Sequence, residues 1–349
     1  MADRKVRAIG LLSGGLDSLL AHALMRAQGI EVRAINFYTG FCILETQRRL
    51  GRKRPDGSTP RNDALQAGAT LETEVELVDL SGPDYLRVVT HPKYGYGANA
   101  NPCIDCRIFM FSKAREIMEQ EGYDFVFTGE VLGQRPKSQR RDPMRVIDRD
   151  SGLEGRLLRP LSAKLLEPTL PEKEGLVDRE RLLDISGRSR KPQMELARQL
   201  GITEYPQPAG GCCFLTDETF GRRFHDLMRR KAERRLEQEE VILLATGRHF
   251  ALGPNAKLVV SRNETENLLL LQYTEGRYAL EAKGVNGPIA LVEGEPDERQ
   301  RELASRIVGR YGKGKDLERV AIEWRRGGES TEVAVEPYRS EAEFEKLRI

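Results

Sequence analysis

A short glycine-rich stretch near the start of the chain, residues 13–18 (SGGLDS), limits the folds that this sequence can adopt. It follows an apolar run over residues 8–12 that predicts a buried strand, and it precedes residues 19–25, which predict a helix. A strand, a tight turn and a helix start direct free backbone N–H groups and the positive end of the helix dipole at one point. The stretch therefore predicts an anion-binding turn in an α/β fold.

The residue types in this turn indicate that the anion is the phosphate of a nucleotide. Gly14 and Gly15 let the backbone approach phosphate oxygens, and Ser13 and Ser18 add hydroxyl donors. A carboxylate beside a phosphate is repulsive unless a cation separates them, so we interpret Asp17 as a Mg²⁺ contact. The turn lacks the ending of a Walker A loop and the G-x-G-x-x-G of a dinucleotide binder. The alternative is a strand-to-helix turn without a ligand.

Alternating strand and helix patterns over the first 165 residues predict a doubly wound parallel sheet. Ligands in this architecture bind beyond the carboxyl ends of the strands. Two further strand ends, at residues 36–37 and 128–130, therefore lie around the same crevice as the turn. We expect the backbone at Asn36 and Phe37 to hold adenine and ribose, while core packing is the alternative for Phe37.

Changes of pattern along the chain predict three parts. Residues 1–165 form the nucleotide-binding domain, residues 166–240 form a helical extension that bears cysteines and completes the active site, and residues 241–349 form a separate α+β domain. The elements predicted after residue 165 are helices at 178–185, 193–200 and 220–240, strands at 241–245, 258–260, 278–282, 289–292, 319–324 and 331–335, and helices at 263–272 and 297–311.

Composition favours a globular protein with a heavily charged surface. Hydrophobic residues make up 39% of the chain and charged residues 32%. No apolar run approaches the roughly 18 residues of a membrane span, and the first residues lack the apolar core of a signal peptide. We therefore expect a cytoplasmic protein without a membrane partner.

Basic residues cluster although the formal net charge is only +2. Clusters at residues 48–54, 135–145 and 222–235 point to a polyanionic partner, RNA before others. The alternative for each cluster is a solvated face of the protein.

Five cysteines are present, and in a cytoplasmic chain a C-x-x-C pair favours a metal or redox site over a disulfide framework. Cys103 and Cys106 form such a pair, and Cys212 and Cys213 follow two glycines. Adjacent cysteines seldom both bind one ion, so three thiolates remain. Three are too few for closed zinc but suit a [4Fe-4S] cluster with one open iron. We favour Cys212 as the third ligand, with Cys213 as the alternative.

Other interpretations of the cysteines stay open. Cys103 and Cys106 could be a redox pair in which one carries a persulfide and the other resolves it. Structural zinc is a further alternative for the same residues. Cys212 and Cys213 could be small core residues, and Cys42 is best explained in that way.

Several motifs together resemble one family. The turn at 13–18 and the motifs NPCIDC, TGEVLGQRP, LRPLSAK, GRSRKP and PAGGC resemble the PP-loop ATP pyrophosphatase superfamily, in particular its tRNA-thiolating branch of 2-thiouridylases and 4-thiouridine synthetases of the iron–sulfur type. The resemblance covers residues 5–230. It implies a PP-loop (adenine nucleotide alpha hydrolase-like) fold, ATP and Mg²⁺, adenylation of a uridine carbonyl oxygen, and sulfur insertion with release of AMP and pyrophosphate.

The resemblance also implies roles for individual residues and partners. Ser13, Gly14, Gly15, Asp17 and Ser18 would hold pyrophosphate and Mg²⁺, and Thr128, Gly129 and Glu130 would close the nucleotide site. Asp17, Cys103, Cys106 and Cys212 would be catalytic, the cysteines as ligands of the [4Fe-4S] cluster. The implied partners are tRNA and sulfide or a sulfur donor such as a cysteine desulfurase, and a homodimer is compatible with the family. The polar candidates for phosphate or RNA contacts are Gln134, Arg135, Arg159, Lys164, Arg188 and Arg190, for which surface charge is the alternative.

The last 105 residues resemble the RNA-binding domain of NFACT proteins. The resemblance lies in KLVVSRN at 257–263, EN at 266–267, GP at 287–288 and YGKGK at 311–315. It implies that Arg262, Asn263, Lys313 and Lys315 face RNA phosphates. An oligomerisation or lid domain is the alternative. The sequence therefore predicts an ATP-dependent tRNA sulfurtransferase, with a PP-loop sulfur transferase for a small molecule and a non-enzymatic iron–sulfur RNA-binding protein as competing hypotheses.

Overall fold

The computed structural model of the chain describes residues 4–51, 53, 57, 62–205 and 213–349. These residues divide into two compact units. The described residues up to 45 and from 62 to 216 form the first unit, and those from 46 to 57 and from 217 onward form the second. The domain boundaries at 165/166 and 240/241 stay a prediction.

The first unit is built on a five-stranded sheet in which every neighbouring pair is parallel, in the order β3-β2-β1-β4-β5. Its strands are β1 (Arg7–Leu11), β2 (Glu31–Tyr38), β3 (Val75–Asp79), β4 (Phe125–Thr128) and β5 (Leu157–Leu158). The helices in this part of the chain are α1 (Leu16–Ala27), α2 (Ile43–Arg49), α3 (Asp63–Thr70), α4 (Pro83–Thr90), α5 (Cys103–Glu121), α6 (Arg141–Asp150), α7 (Leu170–Lys173) and α8 (Lys191–Gln199). The predicted parallel α/β fold is confirmed.

The two faces of this sheet bury alternate residues of the central strands, as the period of two requires. On one face Ala8 and Phe127 pack with Met25 of α1. On the other face Ile9 packs with Phe111 of α5. Burial on both faces explains why the strands read as continuous apolar runs in the sequence.

The second unit is built on a six-stranded antiparallel sheet in the order β11-β10-β8-β9-β7-β6. Its strands are β6 (Arg248–Ala251), β7 (Ala256–Val260), β8 (Tyr278–Ala282), β9 (Ala290–Gly294), β10 (Val320–Arg326) and β11 (Glu329–Val335). Its helices are α9 (Glu218–Arg230), α10 (Gln238–Ala245), α11 (Glu264–Leu270) and α12 (Glu298–Arg310). Ile307 of α12 packs on one face of the sheet, and Leu243 and Leu270 pack on the other. The predicted α+β domain is confirmed.

Three predicted elements are wrong. Residues 220–240 are not one helix, because α9 ends at Arg230 and α10 begins after Glu237, which forms a capping box with Glu240. Residues 241–245 belong to α10 and are not a strand. The prediction failed because an apolar run this short fits the periodicity of a helix and of a strand equally well. Residues 178–185 contain only one 3₁₀ turn, Arg179–Arg181.

Within the described ranges, no helix combines the length and apolar character that crossing a bilayer requires.

Candidate nucleotide and thiol site

The glycine-rich turn joins β1 to the N-terminus of α1, as predicted. Gly14 adopts a φ of +83°, and Gly15 is the helix N-cap, without a side chain that could cap it. The Ser13 hydroxyl donates to Ser18 Oγ at 3.2 Å, and the Ser18 hydroxyl donates to the carbonyl oxygen of Gly15 at 2.8 Å. The Ser18 amide donates to the carbonyl oxygen of Gly15 at 3.1 Å, whereas the amides of Leu16 and Asp17, the first two of α1, have no acceptor within the helix and are available to an anion.

Two glycines bring other backbone segments directly against this turn. A Cβ atom on Gly14 would lie 2.3 Å from the backbone carbon of Asp63, and one on Gly129 would lie 2.5 Å from the backbone carbon of Asp17. Neither position accepts a larger residue unless main chain moves. The start of α3 and the segment after β4 are therefore fixed against the turn.

Asp17 presents one carboxylate oxygen to the protein and leaves the other without a hydrogen bond. Its Oδ2 accepts from Gln134 Nε2 at 2.9 Å and lies 3.8 Å from Arg190 Nη2. Its Oδ1 is buried and has no hydrogen-bond partner in the described chain. A buried carboxylate oxygen without a partner is costly, and an oxygen donor of this kind suits Mg²⁺. The chemistry of Asp17 thus fits the predicted metal contact.

The residues at the ends of β2 and β4 make contacts within the protein. The Asn36 side chain donates to the carbonyl oxygen of Leu12 at 2.8 Å and so ties the end of β2 to the end of β1. Phe37 packs against the core that contains Ile9 and Phe111, which is the alternative that we considered for it. Thr128 is the last residue of β4 and is buried.

Glu130 belongs to a buried network of charges. Its Oε2 accepts from Arg159 Nε at 3.0 Å, and its Oε1 lies 3.1 Å from Arg107 Nε. Arg159 also donates to both oxygens of Asp148, at 2.9 and 2.6 Å. Burial alone would lower the pKa of Arg159, but Glu130 and Asp148 raise it above its ordinary value. The Arg159 side chain is only 3% exposed, so the structure places this predicted RNA contact inside the protein.

Cys103 and Cys106 occupy the first turn of α5, where a spacing of three places them on one face of the helix. Asn101 Nδ2 donates to Cys103 Sγ at 3.0 Å, and the Tyr85 hydroxyl donates to Cys106 Sγ at 3.1 Å. Both sulfurs therefore lie at the N-terminus of a helix and each accepts one hydrogen bond from a neighbouring side chain.

Cys213 interacts with Tyr85, the residue that donates to Cys106, whereas Cys212 lies outside the described residues. Burial, Cys106 and Cys213 together raise the pKa of Tyr85 well above its ordinary value. The described cysteines, Cys42, Cys103, Cys106 and Cys213, are all free thiols. No group of three or more His, Cys, Asp or Glu side chains is arranged to hold a metal within the residues that the structure describes. Since Cys212 is not among them, the predicted cluster site stays a prediction.

One segment after β4 links the nucleotide turn to the thiol pair. Gln134 donates to Asp17, and three residues later Lys137 Nζ donates to the carbonyl oxygens of Tyr94 and Tyr96 at 3.2 and 3.1 Å. The amide of Tyr94 in turn donates to Asp105, which stands between the two cysteines in the sequence. The turn and the pair therefore share one edge of the sheet.

The remaining polar candidates of the first unit have different surroundings. Lys164 Nζ donates to Glu180, at 2.8 Å to its carbonyl oxygen and 3.3 Å to its carboxylate. Arg188 is exposed, and Arg135 and Arg190 are partly exposed. Arg190 lies close to Asp17, so of this set it is the one that the structure brings to the nucleotide turn.

In the second unit, the predicted RNA contacts have different surroundings. Arg262 donates to Glu266 through Nε and Nη2, at 2.9 and 2.6 Å. Asn263 caps α11 by accepting from the amide of Glu266. Lys313 and Lys315 are exposed.

A buried histidine lies directly behind the nucleotide turn. His22 Nδ1 is 2.8 Å from the carbonyl oxygen of Ser18, and its ring meets Phe127 edge-on at 4.8 Å. A Cβ atom on Gly10 would lie 2.4 Å from His22 Nε2, so the imidazole fills the space between β1 and α1. Burial lowers the pKa of His22 from 6.5 to about 4.

The low pKa of His22 predicts a first unit that loses stability in mild acid. In the unfolded chain His22 takes up a proton below pH 6.5, whereas in the folded unit it stays neutral until about pH 4. The free energy of unfolding therefore falls as the pH decreases through this interval. The loss amounts to about 3 kcal/mol. Hydrogen exchange of peptides from β1 and α1 measures it, because the one tryptophan of the chain, Trp324, lies in the second unit.

A matched pair of variants isolates this effect. His22→Gln should flatten the pH dependence of exchange in β1 and α1, whereas His91→Gln should retain it, since His91 is exposed in the same unit. Equal slopes for the His22 variant and the wild type would refute the assignment.

The first unit has a parallel α/β fold with a glycine-rich turn after β1 and a cysteine pair at the same edge of the sheet, and the second unit is an α+β domain. Residues 4–164 match the family model described as thiamine biosynthesis protein (ThiI). Residues 247–347 match the model of the NFACT protein RNA binding domain. Both resemblances predicted from the sequence are thereby confirmed.

The chain is also similar to individual curated proteins and to a solved structure. The tRNA-specific 2-thiouridylase MnmA of Petrotoga mobilis is 29% identical over 136 residues, which are 38% of this chain and 36% of that protein. The tRNA-specific 2-thiouridylase MnmA 1 of Syntrophus aciditrophicus is 25% identical over 224 residues, 62% of this chain and 54% of that protein. The chain thus spans about a third to a half of these curated relatives. A solved 4-thiouridine synthetase–RNA complex with bound ATP aligns with 56% of this chain and 52% of its own, at 18% identity and a TM-score of 0.34.

Proposed function

We propose that this protein is an ATP-dependent tRNA uridine sulfurtransferase. The observation that carries the proposal is the sharing of one sheet edge by the anion-binding turn at Asp17 and the pair Cys103 and Cys106, linked through Gln134 and Lys137. Activation by ATP occurs at the oxygen, and attack by sulfur at the carbon, of the same carbonyl group, so a single crevice has to serve both. The ThiI and NFACT family matches agree with this function.

The nucleotide half of the site would activate the uridine. Oxide is not a viable leaving group near neutral pH, whereas AMP is. The carbonyl oxygen of uridine attacks the α-phosphorus of ATP, and the bond to pyrophosphate breaks. The α1 amides and a Mg²⁺ ion at Asp17 would stabilise the charge that develops on the leaving pyrophosphate. Ser13, Ser18, Asn36 and Thr128 would line the nucleotide.

The thiol half of the site would provide the sulfur. Cys103, Cys106 and Cys212 would hold a [4Fe-4S] cluster, since the set with Cys213 in place of Cys212 lies within the described residues and is not arranged to hold a metal. The two described sulfurs suit this role, because Asn101 and Tyr85 each donate a hydrogen bond to one of them. When bound, such a cluster with one open iron supplies a place for sulfide as a nucleophile. Sulfide or a sulfur-donor protein is the proposed source.

One reconstitution tests the proposal. Protein purified without oxygen is assayed for iron and acid-labile sulfide, then incubated with tRNA, ATP, Mg²⁺ and sulfide, after which the tRNA nucleosides are analysed by mass spectrometry. We expect iron, tRNA-dependent release of AMP and pyrophosphate, and 2-thiouridine or 4-thiouridine in the product. AMP release that does not need RNA would favour the small-molecule transferase, and zinc without iron would overturn the cluster.

A further inference from the structure

Two neighbouring side chains at the nucleotide turn each leave one oxygen without a hydrogen bond. Asp17 Oδ1 and Gln134 Oε1 are both buried, and neither has a hydrogen-bond partner within the described part of the chain. A buried acceptor that finds no donor has lost its hydration and gained nothing in return. The two oxygens therefore indicate a ligand that the described residues do not supply.

The hydrogen bond between these side chains determines which of their atoms face the ligand. Gln134 Nε2 donates to Asp17 Oδ2 at 2.9 Å, and Arg190 Nη2 approaches the same oxygen at 3.8 Å. Because an ionised carboxylate only accepts, the amide of Gln134 must turn its nitrogen toward Asp17 and its oxygen away. Each unpartnered oxygen belongs to the same planar group as one atom of this hydrogen bond, so the two oxygens lie close together.

Backbone hydrogen bonds hold the segment that carries Gln134. The Gly187 amide donates to the carbonyl oxygen of Leu132 at 2.7 Å, and the Leu132 amide donates to Ser162 Oγ at 2.9 Å. The Gln134 amide closes a turn onto the carbonyl oxygen of Val131 at 3.2 Å. Gln134 thus extends from an ordered segment, which lowers the cost of placing its oxygen beside a ligand.

The surroundings of the two oxygens select a cation as that ligand. The amides of Leu16 and Asp17 would draw phosphate oxygens to this turn, but phosphate oxygens are acceptors too and cannot donate to the two side chains. The carboxylate of Asp17 also repels phosphate unless positive charge separates them. Mg²⁺ prefers oxygen ligands and usually takes one or two from the protein, together with waters and substrate phosphates. One carboxylate oxygen and one amide oxygen match this requirement.

We propose that Gln134 is a metal ligand, whose Oε1 joins Asp17 Oδ1 in binding the Mg²⁺ ion that accompanies ATP. Gln134 then has two roles, because its nitrogen orients the carboxylate of Asp17 while its oxygen contacts the metal. In the sequence Gln134 is only a candidate contact to phosphate or RNA. The inference rests on the proposed function in taking ATP with Mg²⁺ as the ligand, but its test needs neither tRNA nor a sulfur source.

The gain in nucleotide affinity that Mg²⁺ produces tests this assignment. The full-length protein is titrated with α,β-methylene-ATP, which cannot be cleaved between its α- and β-phosphates, once in excess Mg²⁺ and once in EDTA. The ratio of the two dissociation constants measures how strongly the metal and the nucleotide support each other's binding. Gln134→Met removes both amide atoms at similar side-chain length. We expect it to lower the ratio roughly tenfold and to leave the affinity in EDTA within about twofold of the wild type.

A second variant, Gln134→Glu, separates the metal ligand from the hydrogen-bond donor. Glutamate keeps an oxygen at this position but cannot donate to Asp17. It should retain or increase the wild-type ratio, because Mg²⁺ would also relieve the repulsion between two carboxylates.

Gln199→Met is the matched control. Gln199 also donates through Nε2 to a carboxylate, that of Glu195 at 3.1 Å, but it is an exposed residue of α8. Its replacement should leave the ratio within about twofold of the wild type.

Three results would overturn the assignment. Equal losses of the ratio in Gln134→Met and Gln134→Glu would leave Gln134 only its hydrogen bond to Asp17. Equal weakening of Gln134→Met in Mg²⁺ and in EDTA would mean that Gln134 contacts the nucleotide itself. An unchanged ratio in Gln134→Met would exclude Gln134 from metal binding.

The thiolation assay of the wild type distinguishes this inference from the proposed function. If the ratios follow the expectation but the wild type does not thiolate tRNA, the metal site is retained and the function is refuted. If the wild type thiolates tRNA while the ratios contradict the expectation, only the role of Gln134 is refuted.

Discussion

Asp17→Asn is expected to reduce tRNA-dependent release of AMP and pyrophosphate by at least about a hundredfold, because it removes the charge that would hold Mg²⁺ against the leaving phosphates. The amide can still accept the hydrogen bond of Gln134, so the turn should keep its fold. Thio-nucleoside formation should fall in parallel, since sulfur insertion depends on activation. Quantification of AMP at saturating ATP and Mg²⁺ measures the effect.

Asp84→Asn is the matched control for this variant. Asp84 occupies the first turn of α4 as Asp17 occupies that of α1, and its side chain is exposed. It should retain AMP release within about twofold of the wild type, as an exposed substitution away from the site should. If Asp17→Asn were equally active, the metal contact and with it the catalytic role of Asp17 would be lost from the proposal.

Cys106→Ser is expected to lower thio-nucleoside formation by at least about a hundredfold while pyrophosphate release in a single turnover remains close to that of the wild type. Serine preserves the shape of the side chain and a partner for Tyr85, but it supplies neither a thiolate ligand nor a sulfur nucleophile. Iron content after anaerobic purification should drop as well. Nucleoside analysis, pyrophosphate release and iron assay together separate the two halves of the reaction.

Cys42→Ser is the control, because Cys42 is a free thiol that the sequence assigns to packing. It should retain both sulfur insertion and iron. Loss of pyrophosphate release in Cys106→Ser would mean that the cysteine pair supports the fold of the crevice, and unchanged sulfur insertion would exclude Cys106 from sulfur chemistry. The Asp17 and Cys106 variants thus fail in different assays if the proposal is correct.

Much of the first unit could be predicted from the sequence, because its strands are buried on both faces and its turn has a distinctive composition. The positions of β1, β2 and β4 follow from apolar runs, and the turn at residues 13–18 follows from its glycines. Local pattern did not suffice at residues 178–185, which contain only a 3₁₀ turn, or between residues 220 and 251. In that region the apolar run at residues 241–245 fits a strand as well as the helix α10 that it forms. The short strand β6 (Arg248–Ala251) was not predicted.

The sequence predicted site residues whose type alone indicates their chemistry. It did not predict roles that depend on which side chains form ion pairs or hydrogen bonds in the folded protein. In the sequence Arg159 and Arg262 resemble exposed RNA contacts. In the structure Arg159 pairs with Glu130, which is distant in the chain, and Arg262 pairs with Glu266, which is one helical turn away. Tyr85 lies on α4, 21 positions before the sulfur to which it donates, so no spacing signals the contact. In the sequence Gln134 was identifiable only as a polar member of a motif. Its hydrogen bond to Asp17, which is 117 positions away, depends on how the segment after β4 packs in the fold.

The link through Gln134 and Lys137 has a consequence for engineering this protein. Insertions or deletions in that short segment would displace both the turn that contains Asp17 and the loop that contacts Asp105 between the cysteines. Neither half of the proposed reaction could therefore be altered there without affecting the other.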